Sequence, residues 1–335
     1  MAVYTQIGAE AMAALVAEYD VGELVSAKGI AEGVSNSNWL IETTGSAGAD
    51  RKGRGTRFIL TMYELRIEIG DLPYFLSLLD HLAAHDCPVP RTIHDREGRL
   101  FRLRPDEFGG HKAIALIEFL PGVSVSEPTV GQVRAVGAAL ARIHLAASDF
   151  PDQRANAMGV AEWQRLAAAC GPEGLRSIDP LLADLVADEL ALLTAQWPAN
   201  LPRSVIHADL FPDNVLMLGD RVTGLIDFYF ACNDLTAYDV AVTHAAWCFG
   251  AGGRTFRPDL SAALLTGYES LRPLMADERT ALPLLARGAA LRFALSRAYD
   301  WLNTPADALV TRKDPMGPAR QLQFYADPAN AAVFA

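Results

Sequence analysis

The stretch that decides how this chain reads is Ser204-Val-Ile-His207-Ala-Asp209-Leu-Phe-Pro-Asp213-Asn214-Val-Leu-Met-Leu218-Gly-Asp220-Arg-Val-Thr-Gly-Leu-Ile226-Asp227-Phe228. Its polar residues stand at set intervals between apolar runs. Val215–Leu218 reads as a strand, Gly219-Asp220 as a two-residue turn and Val222–Ile226 as the returning strand. If Leu218 pairs with Arg221, Asn214 falls opposite Leu225, and Asp227 lies about 7 Å further along at the same end. Asn214 and Asp227 can then share one hard cation through oxygen ligands, as Mg²⁺ requires, with phosphate oxygens and water completing its shell. Asp209, on the loop entering this hairpin, can accept or orient the proton of an attacking hydroxyl. His207 is placed to brace that loop.

Working outward, the two flanks differ in character. Before Pro121 the chain is dominated by strand patterns. Leu24–Ala31 and Asn38–Thr43 suggest a hairpin, and Arg57–Tyr63 a third strand. Arg91–Ile93 and Arg99–Leu103 suggest a second hairpin around Asp95-Arg-Glu-Gly98, and Lys112–Phe119 a last apolar strand. One helix is expected from Leu72 to His85, with Asp71 as its N-cap and Pro73 in its first turn. After Pro121 helical spacing takes over: Thr129–Ala147, Leu181–Gln196, Ala237–Phe249, Leu260–Leu271 and Glu278–Leu302. Trp247, Cys248 and Trp301 fall in the apolar patterns of these helices and read as core. The fold class is therefore α+β and two-lobed. Residues 1–120 form a small β-rich lobe, and residues 121–335 a larger, mainly helical lobe carrying the catalytic loop.

Composition narrows the function. Hydrophobic residues make up 51% of the 335, ample for two cores. The net charge of −11 argues against a nucleic-acid partner. Cys87, Cys170, Cys232 and Cys248 form no C-x-x-C pair, so neither a disulfide framework nor a zinc site is signalled, and reduced thiols in a cytoplasmic protein are expected. Met1–Asp20 has no basic segment of the kind that opens a signal peptide, and no apolar run is long enough to span a membrane.

The spacing H-x-D-x-x-x-x-N, with a further Asp eighteen residues after the first, is the catalytic arrangement of protein-kinase-like enzymes. In that reading ATP is the co-substrate and the first lobe holds it. Gly33, Ser35, Asn36, Ser37 and Asn38, between the first two strands, offer backbone N–H groups and small polar side chains to phosphate oxygens. Glu118 to Leu120, ending the last strand, would give backbone groups to adenine. The third strand, where such lobes carry a lysine, has Thr61 at that position. Lys28 or Arg66 could hold the phosphates instead.

These residues resemble the aminoglycoside phosphotransferase and choline kinase superfamily and, within it, the bacterial homoserine kinases. The resemblance rests on His207-Ala-Asp209-Leu-Phe-Pro-Asp-Asn214 and Ile226-Asp227-Phe228. Gly29-Ile-Ala-Glu-Gly33, Ile59-Leu-Thr61-Met-Tyr-Glu64, Tyr238-Asp239 and Leu291-Arg-Phe293 extend it along nearly the whole chain. Thr61 in place of lysine fits that subfamily. The resemblance implies ATP-dependent phosphorylation of the side-chain hydroxyl of L-homoserine, a step toward threonine, with Mg²⁺ on Asn214 and Asp227. A zwitterionic acceptor needs an anion near its ammonium and a cation near its carboxylate, an arginine being the most selective form of the latter. The candidates are Tyr229, Asn233 and Asp234, Arg154 with Asn156, and Arg297 with Asp300. Asp239 reads as a brace for the catalytic loop. The competing readings are a kinase of the same fold acting on an aminoglycoside, choline, a methylthio-sugar or hydroxylysine, and a nucleotide-binding pseudokinase.

Overall fold

The chain divides at Pro121-Gly122, shortly after the strand that closes the first part, giving two compact units, residues 1–121 and 122–335. The computed structural model describes residues 7–30, 36–45, 56–64, 68–105, 110–304 and 312–334.

In the first unit, helix α1 (Ala9–Val16) precedes strands β1 (Leu24–Ile30), β2 (Asn36–Thr43) and β3 (Arg57–Tyr63). Helix α2 (Leu72–Ala84), β4 (Thr92–Ile93), β5 (Arg102–Pro105) and β6 (His111–Glu118) follow. The antiparallel sheet runs β1-β2-β3-β6-β4, with β5 also on β6. Alternation along the strands sorts its two faces. Trp39, Ile41, Phe58, Leu60, Met62, Ile114 and Leu116 pack with Met12, Leu15 and Val16 of α1 into one core. The opposite face carries Asn38, Thr61 and Ala115 in successive register.

Two local expectations change. The turn at Asp95 forms, with Gly98 N–H donating to Asp95 carbonyl at 2.9 Å. Its flanking strands, however, both pair with β6 instead of with each other. Asp71 precedes α2 but makes no side-chain cap hydrogen bond, because its own backbone is already helical, closing a short 3₁₀ turn.

The second unit contains α3 (Val130–Ala146), α4 (Val160–Ile178), α5 (Leu182–Gln196), β7 (Arg203–Ile206), β8 (Val215–Leu218) and β9 (Arg221–Leu225). Then come β10 (Cys232–Leu235), α6 (Thr236–Trp247), α7 (Pro258–Glu269), α8 (Ala276–Asn303) and α9 (Met316–Ala326). Two antiparallel ribbons, β7 with β10 and β8 with β9, are set among these helices. Helix α3 starts at a capping box, Thr129 accepting from Gln132 N–H while Gln132 returns the bond. The Gly171-Pro172 step is a kink inside α4, with Gly171 at φ 64°. Trp247 and Cys248 are buried as expected, whereas Trp301 is exposed and lies beneath Arg312, whose guanidinium is 5.4 Å from its ring.

Helices α3 and α7 approach until their backbones touch. A Cβ at Gly137 would overlap the Leu264 carbonyl, and one at Gly267 would overlap the Arg134 carbonyl. Only hydrogen fits at either point. This crossing also sets Tyr268 against His144. Gly267→Ala is expected to destabilise the protein by about 1–3 kcal/mol, the range for overpacking a close contact. The measurement is a thermal melt, and an unchanged midpoint would show that the helices separate without penalty.

Candidate active site

Asp239, in the first turn of α6, is fully buried, an arrangement that requires donors at both carboxylate oxygens. His207 N–H donates to Oδ2 at 2.7 Å, and Ala208 N–H to Oδ1 at 2.8 Å. His144 Nε2 meets Oδ2 at 3.1 Å, and Tyr268 hydroxyl meets the other ring nitrogen at 2.9 Å. Burial alone would raise the Asp239 carboxyl, but His144, His207 and these backbone donors hold it below the usual range. One buried ion thus grips two consecutive peptide groups of the loop leaving β7.

That grip explains the strain at Ala208. Its φ of 60° is left-handed, a conformation costing about 1–2 kcal/mol for a residue with a Cβ. Asp239 holds its N–H from one side. From the other, Arg292 of α8 donates to its carbonyl. Arg292 is only 1% exposed, and its guanidinium lies 5.3 Å from the Phe230 ring and 4.7 Å from the Phe293 ring.

Asp209 follows. Its N–H donates to His207 Nδ1 at 3.3 Å, and His207 Nε2 bonds the Ile226 carbonyl at 3.0 Å. His207 therefore ties the loop to the end of β9, with its ring 4.5 Å from that of Phe228. Trp247 Nε1–H donates to the Leu210 carbonyl at 2.8 Å.

The hairpin departs from the simple register in an informative way. Leu218 pairs with Arg221 as expected, but an irregularity between Leu216 and Met217 leaves Thr223 as an extra residue. Val215 then pairs with Leu225, and Ile226 N–H donates to the Asn214 carbonyl at 3.0 Å. Asn214 therefore lies opposite Ile226, one residue nearer Asp227 than the unbulged register places it. Asp227 has φ 65°, a turn of the chain at the strand end.

The donor set fits a hard cation. Asn214 Nδ2 donates to Asp209 carbonyl at 2.8 Å and to Asp209 Oδ2 at 3.3 Å. This fixes the amide so that Oδ1 is the outward atom. Together with the Asp227 carboxylate it forms an all-oxygen pair, the chemistry suited to Mg²⁺.

The two carboxylates respond alike to their surroundings. Burial raises the Asp209 carboxyl to about 6, with Asp227 adding to the rise and Arg292, His207 and Lys313 opposing it. Asp227 is exposed as a residue, yet protein crowding its carboxyl raises that group too, against the pull of His207 and Lys313.

The remaining expected residues are scattered. Asn233 accepts from Arg154 N–H at 2.8 Å, and Asp234 accepts from Asn156 Nδ2 at 2.7 Å. Arg203 also pairs with Asp234, at 3.1 Å. Both residues thus fasten the segment before α4 to β10. Tyr229 lies on the turn after Asp227. Arg297 lies on α8, its guanidinium 5.9 Å from the Phe211 ring.

Within the first unit, Thr61 hydroxyl donates to Asn38 Oδ1 at 2.8 Å, which turns the Asn38 amide N–H₂ outward. Lys28 is exposed and pairs with Leu40 on that same face. Asn36 is buried there, and its Oδ1 has no partner among the described residues. Ser37 points to the other face and donates to Glu64 at 2.7 Å, which Lys112 also meets at 2.6 Å. Glu118 ends β6, its N–H donating to the Arg91 carbonyl at 2.9 Å, and Leu120 follows half-buried. Gly33, Ser35 and Arg66 lie outside the described residues.

Sequence reasoning missed Arg292, His144 and Lys313. The first two did leave a signal: each is a lone basic residue within an apolar helical face. Lys313 left none, since its nearness to Asp209 and Asp227 comes from the turn into α9.

Because the folded-state value of Asp209 lies above the ordinary 3.8, its ionised form opposes folding above pH ~6 and ceases to do so below pH ~4. Asp209→Asn is therefore expected to raise stability at pH 8 by on the order of 1–2 kcal/mol, with the gain vanishing near pH 4. Thermal melts at the two pH values test this, and equal midpoints for variant and parent at pH 8 would contradict it.

Residues 26–274 match the phosphotransferase enzyme family. A homoserine kinase of Azorhizobium caulinodans is 48% identical over 331 residues, covering 99% of this chain and 98% of that protein. A homoserine kinase of Rhodopseudomonas palustris is 50% identical over 325 residues, covering 97% and 94%. A solved amicoumacin kinase, in complex with AMP-PNP, Ca²⁺ and Ami, shares the fold: TM-score 0.65 at 14% identity, covering 95% of this chain and 93% of that one.

Proposed function

The chain belongs to the phosphotransferase enzyme family, and on that premise we propose that it transfers the γ-phosphoryl group of ATP to the side-chain hydroxyl of L-homoserine, giving O-phospho-L-homoserine and ADP. The observation that carries the reaction type is the triad of Asp209, Asn214 and Asp227, brought together by one strained loop and one bulged hairpin. The acceptor follows from the homoserine kinases that match over nearly the full length.

The chemistry begins at Asp209. With its carboxyl at about 6, it is mostly ionised at neutral pH and accepts a hydrogen bond from the acceptor hydroxyl. As the acceptor oxygen bonds to the γ-phosphorus, the bond to the β–γ bridging oxygen breaks. The hydroxyl proton passes to Asp209 and ADP leaves. Little covalent work falls to the protein, so positioning and charge compensation dominate. Asn214 holds one Asp209 oxygen, and Asp239 with Arg292 fixes the peptide that precedes it.

ATP is used with a divalent cation, as the solved relative's complex with an ATP analogue and Ca²⁺ supports. For this chain Mg²⁺ is the proposed ion, held by Asn214 Oδ1 and the Asp227 carboxylate. When bound it would draw charge from the phosphate oxygens. In the first unit, Lys28, Asn36 and Asn38 share one sheet face and are proposed to meet the nucleotide, taking the role left by Thr61. No helix among the described residues is long and apolar enough to cross a membrane, and the reaction needs none.

A coupled ADP-release assay with Mg·ATP tests this, comparing L-homoserine with choline, kanamycin, hydroxylysine and L-serine. Strong turnover on homoserine and little on the others is expected. Asp209→Ala should lower kcat by on the order of 10³-fold, within the range for losing a positioned base. Turnover on kanamycin or choline in place of homoserine would keep the site and discard the substrate.

A further inference from the structure

Helix α8 carries four arginines, and three have evident partners. Arg279 pairs with Glu269, and Arg287 forks onto Glu189 at 2.8 and 2.7 Å. Arg292 donates to the Ala208 carbonyl. Arg297, the last, is half-buried and takes part in no ion pair among the described residues. Its one protein hydrogen bond there is from Nη1 to the Asp314 carbonyl at 3.3 Å. A partly desolvated guanidinium without an anion is an unfavourable arrangement unless a ligand completes it.

Its surroundings point to that ligand. Arg297 lies one helical turn beyond Phe293, on the same face of α8. Phe293 meets Phe211 edge to face at 4.8 Å, and the Arg297 guanidinium lies 5.9 Å from the Phe211 ring. Phe211 is two residues after Asp209 in the catalytic loop, and its N–H donates to the Asp209 carbonyl at 2.8 Å. A base, an apolar ring and a guanidinium with no ion pair among the described residues thus follow one another. That is also the order of groups along homoserine: hydroxyl, methylenes, carboxylate.

We propose that Arg297 binds the acceptor's carboxylate through its guanidinium fork, and so selects an amino acid over the corresponding amino alcohol. The proposal rests on the homoserine kinase reading above and adds the group that sets its specificity. Burial lowers the Arg297 pKa, opposed by the charges of Asp314 and Asp209, so its field already reaches the catalytic base. A bound carboxylate would relieve that desolvation with two charge-assisted hydrogen bonds.

The test compares L-homoserine with 3-aminopropan-1-ol, the same molecule without its carboxylate. The readout is the ratio of the two kcat/KM values, which a merely structural role for Arg297 would not move. The parent enzyme should favour homoserine by about 100-fold or more, and Arg297→Met should reduce that ratio by at least about 30-fold. Arg297→Lys keeps the charge without the fork and should fall between the two. It also carries the test if the Met variant melts at room temperature. A ratio within about threefold of the parent's in a folded variant would overturn the assignment while leaving the homoserine kinase reading intact. A parent enzyme that phosphorylates neither compound, or prefers the amino alcohol, would overturn both.

Discussion

The Asp239 carboxylate is the interaction on which the rest of the site depends. It is buried completely and accepts from two successive backbone N–H groups and one imidazole. None of the three could be lost cheaply, since a buried ion short of a donor is left partly uncompensated. The constraint extends in both directions. Outward, it reaches through His144 and Tyr268 to the α3–α7 crossing, where two glycines let the helices touch. Inward, it bends Ala208 into a left-handed conformation and so aims Asp209. Helix packing is thereby converted into the direction of one side chain.

Two aspartates of the second unit, Asp239 fully buried and Asp209 partly so, are driven in opposite senses by their surroundings. Asp239 receives enough donors to stay ionised below the usual range, and serves as structure. Asp209 receives one weak donor at 3.3 Å to its carboxylate, and burial raises it to about 6. The difference lies in hydrogen-bond supply: the more deeply buried of the two is the one that stays ionised, because it has the donors. A carboxylate left short of donors is a better base and a poorer stabiliser, which is the usual trade at active sites. Arg297 is its cationic counterpart: a desolvated charge with no ion pair among the described residues.

The lobes, their order and the catalytic hairpin were legible because each rests on local pattern. Alternation along β2 and β3, helical spacing in α3 and α5, and Gly219-Asp220 at a tight turn need no distant partner. The errors came where a neighbour decided. β4 and β5 read as a hairpin, yet each pairs with a different stretch of β6, β4 with residues 116–117 and β5 with residues 111–114. Trp301 reads as core, but it is exposed and its ring meets Arg312 instead. The bulge at Thr223 could not be counted from turn residues, because its hydroxyl bond to the Leu216 carbonyl at 3.0 Å forms only once the strands are paired.

By itself the sequence determined which residues could do the chemistry. His207, Asp209, Asn214 and Asp227 are close in the chain, and a loop with one hairpin is short enough for spacing to dictate who meets whom. Tertiary structure alone decided how those residues are tuned. Asp239, Arg292, His144 and Arg297 come from helices dozens of residues away. The sequence could name Asp239 as a brace and Arg297 as a candidate, but burial, hydrogen bonding and through-space charge act over a few ångströms, and their sizes are set only by the packed structure.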